Sequence, residues 1–174
     1  VTRSKIAWSK LVAVWVLFLA LHFSYGTFPN TLFKLIGEEG ETTFSHMKML
    51  FVAYVVASLV EFAVRRATLA SRSGFIYSRA LVAVAYPWLT ITMWFAAEAI
   101  GLSMANLAME IAYANVMTIL GIYLALRIEE LLDGVEFRPS LKAMTVFLFA
   151  CAVLSYAAFA FKTPMPFFTP PPGF

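Results

Sequence analysis

Apolar residues fall along this chain in long unbroken runs, separated by short polar stretches. Five runs stand out, at about 6–25, 46–64, 80–100, 102–128 and 143–161. Each is near or above the ~20 residues that cross ~30 Å of hydrocarbon at about 1.5 Å per residue. The pattern predicts helices, because lipid offers backbone N–H and C=O groups no partner outside their own segment. The alternating strands of about 10 residues that would mark a membrane barrel are absent. The expected fold is therefore an all-α integral membrane bundle of five transmembrane helices, forming a single domain over residues 1–174.

Composition supports this. Hydrophobic residues make up 61% of the chain and charged residues 13%. Globular averages are roughly 45–50% and about 25%. The mean hydropathy is +0.81. A chain of 174 residues has too little interior to hide that much apolar surface, so lipid is its expected solvent. The N-terminal segment resembles a signal peptide in having Arg3, Lys5 and Lys10 before an apolar run. It shows no small-x-small cleavage site and reads as a first membrane helix, with Lys10 snorkelling to the inner interface.

Charge placement gives an orientation. With the N-terminus inside, Arg3, Lys5, Lys10, Arg65, Arg66, Arg72, Arg79, Arg127, Arg138 and Lys142 fall on inner segments, whereas Lys34, Lys48 and Lys162 fall outside. The positive-inside rule then predicts N-in, C-out, in a prokaryotic cytoplasmic (inner) membrane. It also accounts for the net charge of +3 without an anionic partner. No basic stripe with interleaved aromatics is present, so nucleic acid is not an expected partner.

Several local features carry packing expectations. Glu61 and Arg65, four apart, suit an ion pair at the inner end of the second membrane helix. Ala53 and Ala57 give that helix a small-residue face. Trp8 and Trp88 suit interface anchors. The single cysteine, Cys151, reads as a small buried hydrophobe. The stretch 66–79 reads as a basic inner loop, and 129–140 as an inner loop of mixed charge. The segment 162–174 is rich in Pro and Phe. It cannot be helical through Pro170–Pro172 and reads as an extended outer tail, with residues 163–174 a candidate contact for other membrane subunits.

Ionisable residues within membrane helices are costly and mark functional sites. Here His22, Glu41, His46, Lys48, Glu98 and Glu110 all fall in the outer third of the membrane. Glu110 lies ~12 Å below the outer start of its helix. Ser103, Asn106, Glu110, Tyr113 and Met117 recur at steps of three and four and share one face, as do Thr90, Trp94 and Glu98. The expected pocket is lined by Glu110, His46, His22, Glu41, Glu98, Lys48, Asn106 and Tyr113. By ligand type, His22, His46, Glu41 and Glu110 suit a transition metal such as Zn, Fe, Mn or Cu. No metalloprotease or di-iron motif accompanies them. The same groups also suit a proton or substrate relay, or helix caps that pair near the headgroups.

Two stretches also carry a resemblance. Leu21-His22-Phe23-Ser24-Tyr25 and Glu41-Thr42-Thr43-Phe44-Ser45-His46-Met47-Lys48 resemble motifs of a prokaryotic family of small polytopic membrane proteins, a domain of unknown function. Its pattern is LHFxY, followed by ExxxxHxK at the start of the second helix. The chain departs from it with Gly40 in place of Asn, Phe44 in place of Trp and Ser45 in place of a second acid. The resemblance implies a compact membrane protein and draws attention to His22, Glu41, His46 and Lys48.

Three functions follow as expectations. The first is an outward-facing His/Glu pocket that binds or passes a cation, a proton or a small polar ligand. The second is a non-catalytic accessory subunit of a larger membrane complex. The third is a membrane enzyme acting on lipid or quinone. No nucleophile elbow, phosphate loop or dinucleotide fingerprint supports an enzyme.

Overall fold

The computed structural model describes residues 3–37, 42–101 and 104–161, with side chains throughout except at 3–7 and 97–98. The chain forms α1 (Arg3–Thr27), α2 (Thr31–Ile36), α3 (Thr43–Arg65), α4 (Arg72–Ala99), α5 (Leu107–Leu132) and α6 (Pro139–Phe159). Among the described residues there is no strand. All helices except the short α2 are long and apolar enough to cross a membrane. The protein is an all-α, multi-pass membrane bundle of five long helices.

Local chemistry sets the helix starts. Asn30 caps α2 by accepting from the Leu32 and Phe33 amides. Thr42 caps α3 by accepting from the Ser45 amide, and Asn106 caps α5 by accepting from the Met109 amide. These oxygens replace partners that the first turn of a helix lacks. Pro139 opens α6, where a missing N–H is harmless.

The boundaries differ from the apolar runs at the polar ends. α4 begins at Arg72, so the second half of the expected 66–79 loop is helical. α5 begins at Leu107 rather than 102 and continues to Leu132, which carries Glu129 into the helix. In both places polar residues face the bundle interior, and hydropathy alone reads them as loop. α2 was not foreshadowed by an apolar run. The 162–174 tail lies outside the described residues.

Packing is organised as a ring. α1 packs on α3 and α5, α3 packs on α4, and α4 closes on α5. α6 lies outside this ring against α4. It also reaches α3 through aromatic contacts of Phe51 with Phe149 and Tyr156, and of Phe44 with Tyr156. Neighbours in the ring run antiparallel, so the starts of α1 and α4 share one end with the ends of α3 and α5. We call that end the base, and the end carrying α2 the top.

The axis of the ring is filled by Val14, Phe18, Met49, Leu50, Ala53, Tyr54, Val82, Tyr86 and Ile122, all buried. Ala53 and Ala57 are buried on α3, so the expected small-residue face does pack inward. Gly121 brings α5 hard against α4: a Cβ there would lie 2.2 Å from Thr90 Oγ1. Trp15 Nε1 donates to Asn115 Oδ1 at 3.1 Å and ties α1 to α5. Trp8 and Trp88 both face outward. Cys151 does not follow its expectation. It is exposed on the outer surface of α6, because α6 packs on one side only and buries just Thr145.

Candidate functional site: an ion cluster at the base and a histidine pair at the top

Each helix of the ring sends an ionisable side chain to the axis near the base. Lys10 of α1 donates to Glu61 Oε2 of α3 at 2.8 Å and to Glu129 Oε1 of α5 at 2.5 Å. Arg79 of α4 pairs with Glu129 Oε2 at 3.3 Å and with Glu61 Oε1 at 3.5 Å. Arg79 also pairs with Asp133, and Arg65 with Glu61. The Tyr54 hydroxyl donates to Glu129. Lys10 additionally sits over the Tyr54 ring, 4.8 Å from its centroid, and Arg79 sits over Phe75 at 4.2 Å. Ser78 relays to the backbone, accepting from Arg79 at 3.0 Å and donating to the Phe75 carbonyl at 2.9 Å.

Among the described residues the cluster pairs three cations with three carboxylates. Lys10, Arg65 and Arg79 face Glu61, Glu129 and Asp133. Burying any one of these alone would be expensive, and pairing offsets much of that cost. Helical periodicity builds it. Tyr54, Ser58 and Glu61 lie at i, i+4 and i+7 on α3, and Glu129 and Asp133 at i and i+4 on α5, so each set shares a face.

The sequence offered only fragments of this cluster. The Glu61–Arg65 pair was legible from its spacing and is present. Lys10 corrects the snorkelling expectation: it is only 6% exposed and turns inward to two carboxylates. Glu129 and Asp133 looked like loop residues, because the expected apolar run ends at Ile128.

At the top, the structure brings His22 and His46 together, with ring centroids 5.5 Å apart. Phe18 packs beside both rings at 6.2 Å. His46 Nδ1 donates to the Thr42 carbonyl at 2.9 Å, which fixes the ring and leaves Nε2 as the acceptor nitrogen of the neutral form. Lys48 is buried and donates to the Lys34 carbonyl at 2.8 Å, docking α2 on α3. Gly37 lets α2 close on α1, since a Cβ there would meet Ser24 Oγ at 2.2 Å and the Leu21 carbonyl at 2.9 Å.

The other expected pocket residues stand apart from this pair or serve the helices themselves. Glu110 is half-buried in the first turn of α5, and its side chain makes no hydrogen bond or ion pair among the described residues. Asn106 caps α5. The Tyr113 hydroxyl donates to the Met93 and Trp94 carbonyls at 3.1 and 3.0 Å, pinning α5 to α4. Glu41 and the side chain of Glu98 lie outside the described residues. Among the described residues, no three His, Cys, Asp or Glu side chains gather as a metal site. Of the described members of the expected ligand set, His22 and His46 meet, and Glu110 stands apart from them.

The two polar stations share the same helices. His46 and Tyr54 are eight residues apart on α3, about 12 Å along the axis. On α1 and α3 the band between them holds the buried apolar side chains of Phe18, Met49, Leu50 and Ala53. No protein-family model, curated protein or solved structure matches this chain.

Proposed function

We propose that this protein binds and passes a proton or small cation along the axis of its four-helix ring, with the histidine pair as the outer station and the ion cluster as the inner one. The observation that carries the reading is the convergence of Lys10, Glu61, Arg79 and Glu129, one from each ring helix, on a buried point. Stability alone is a poor reason to keep such a cluster. Replacing buried ion pairs by well-packed apolar residues is often neutral or stabilising. Ionisable groups retained within membrane helices mark ion and proton pathways. The excess of Lys and Arg on the segments at the base supports a base that faces the cytoplasm. The reading extends to the family that the 21–25 and 41–48 stretches resemble. A transition-metal ion is one cation that the histidine pair suits by ligand type.

The test is a flux assay on purified protein in liposomes holding a pH-sensitive dye, under an imposed potential. Wild-type protein should collapse the proton gradient, and Glu129→Gln and the double variant His22→Ala/His46→Ala should each reduce the rate at least tenfold. A wild-type rate equal to that of empty liposomes, for protons and for monovalent and divalent cations alike, would sink the reading.

A second reading, an accessory subunit of a membrane complex, is favoured by α6. That helix stands outside the ring and presents Met144, Val146, Phe147 and Leu154 outward. Native mass spectrometry on protein extracted gently from its own membrane separates the two readings. A defined hetero-complex that falls apart on deletion of 163–174 would support the subunit.

A further inference from the structure

α6 stands outside the ring and gives one side to it. Thr145 is fully buried there, and Phe149, Ala152 and Tyr156 are half-buried against the core. These four recur at steps of three and four, so they define the inner face of the helix. The opposite face carries Ala143, Phe147, Ala150, Leu154 and Ala157 and turns away from the ring.

That outer face has a regular pattern. Phe147 and Leu154 are seven apart, and they are the most exposed large side chains of α6, at 67% and 68%. Ala143, Ala150 and Ala157 also repeat every seven residues. The first two are exposed and the third is half-buried. Large and small positions therefore alternate at steps of four and three, the average spacing of a seam between paired helices. Lipid tails conform to any apolar surface and ask for no such order. Small residues at regular steps let helix backbones approach, and close packing is what drives helix association in lipid.

Orientation and charge select the occupant. Copies of one chain in one membrane share an orientation, so their α6 helices meet in parallel. About a twofold axis along the membrane normal, equal heights come together. Phe147 and Leu154 then meet their own copies, and the alanine layers between them let the backbones close. No charged residue lies between 143 and 161, so the face lacks the flanking charges that choose an unlike partner in paired helices. Lys142 is drawn away from it, 5.5 Å from the centroid of the Tyr77 ring on α4. The face offers roughly 500 Å² per copy, or about 1,000 Å² for the pair, which reaches the lower size of specific interfaces.

We infer that this protein forms a parallel homodimer through the outer face of α6, with Ala143, Phe147, Ala150, Leu154 and Ala157 as the seam. Val146 and Val153 lie to one side of the seam and Cys151 to the other, against lipid. The two rings sit on the outside of the pair, and each keeps its own histidine pair and base cluster. This inference goes beyond the proposed function, because the seam forms whether or not the rings pass an ion.

Disulfide crosslinking of the full chain in liposomes at a high lipid-to-protein ratio tests it. Single cysteines are introduced in a Cys151→Ala background and oxidised with copper phenanthroline. Ala143→Cys, Ala150→Cys and Ala157→Cys keep the small layers small and should each give covalent dimers. Val146→Cys and Val153→Cys should give several-fold less, although those valines are 56% and 40% exposed. Adding Ala150→Phe to Ala157→Cys should lower its yield several-fold, because a large side chain in a small layer holds the backbones apart. Adding Val153→Phe should leave that yield unchanged. Equal yields at the alanine and valine positions would mean random collision and would overturn the inference. So would the absence of crosslinks at all three alanine positions. Crosslinking and flux are separate readouts, so failure of the dimer leaves the proton or cation reading standing, and the reverse also holds.

Discussion

Lys10 and Glu129 are separated by 119 positions in the chain and meet at 2.5 Å, each with a side chain only 5% exposed. This contact joins the first membrane helix, α1, to the fourth, α5. It also makes Glu129 a junction of all four ring helices, since Tyr54 and Arg79 reach the same carboxylate from α3 and α4.

Breaking the junction should be costly, and more so from one side than from both. Lys10→Met leaves Glu61 and Glu129 short of a cation in a buried site and should destabilise the bundle by about 3–5 kcal/mol. The double variant Lys10→Met/Glu129→Gln should cost less than the sum of its two single variants, with a coupling of ~1–3 kcal/mol. Unfolding titrations in mixed micelles give all three values. Strict additivity would mean that the two side chains do not interact.

Gly121 should tolerate no side chain. A Cβ would come within 2.2 Å of Thr90 Oγ1 and 3.1 Å of Thr90 Cβ, so α4 and α5 would have to separate. Gly121→Ala is expected to cost about 1–3 kcal/mol, the usual range for overpacking. Adding Thr90→Ala should restore much of that loss, because it removes the nearest atom. A melting temperature unchanged by Gly121→Ala would show that the helices are not closely packed there.

Asn106 and Tyr113 should affect stability and leave the proposed flux alone. Asn106→Ala removes the α5 cap and should cost about 1 kcal/mol. Tyr113→Phe removes a hydroxyl that binds α4 carbonyls and should cost a similar ~1 kcal/mol. Proton or cation flux per folded molecule should match wild type in both variants. A tenfold loss of flux in either would return that residue to the pathway.

Cys151 should react from the lipid side. It is exposed on α6, between apolar neighbours that also face outward. A lipid-soluble maleimide should label it in intact liposomes, and a charged maleimide added to the same liposomes should not. Labelling by the charged reagent would place this face of α6 in water.

The sequence by itself determined the number of spans, the helical class, the small-residue face of α3, the Glu61–Arg65 pair and the common depth of His22 and His46. Each of these depends on quantities that are local along the chain: apolar length against bilayer thickness, and spacing of three or four residues on one helix. Only the tertiary structure decided that Lys10 turns inward and that Cys151 turns outward. It also decided that α4 and α5 carry Arg79 and Glu129 into the bundle, where they join Lys10 and Glu61 at the base. Which way a membrane helix faces is set by its neighbours. A helix that is apolar nearly all round carries little mark of its own rotation, and the partners that fix it lie a hundred residues away.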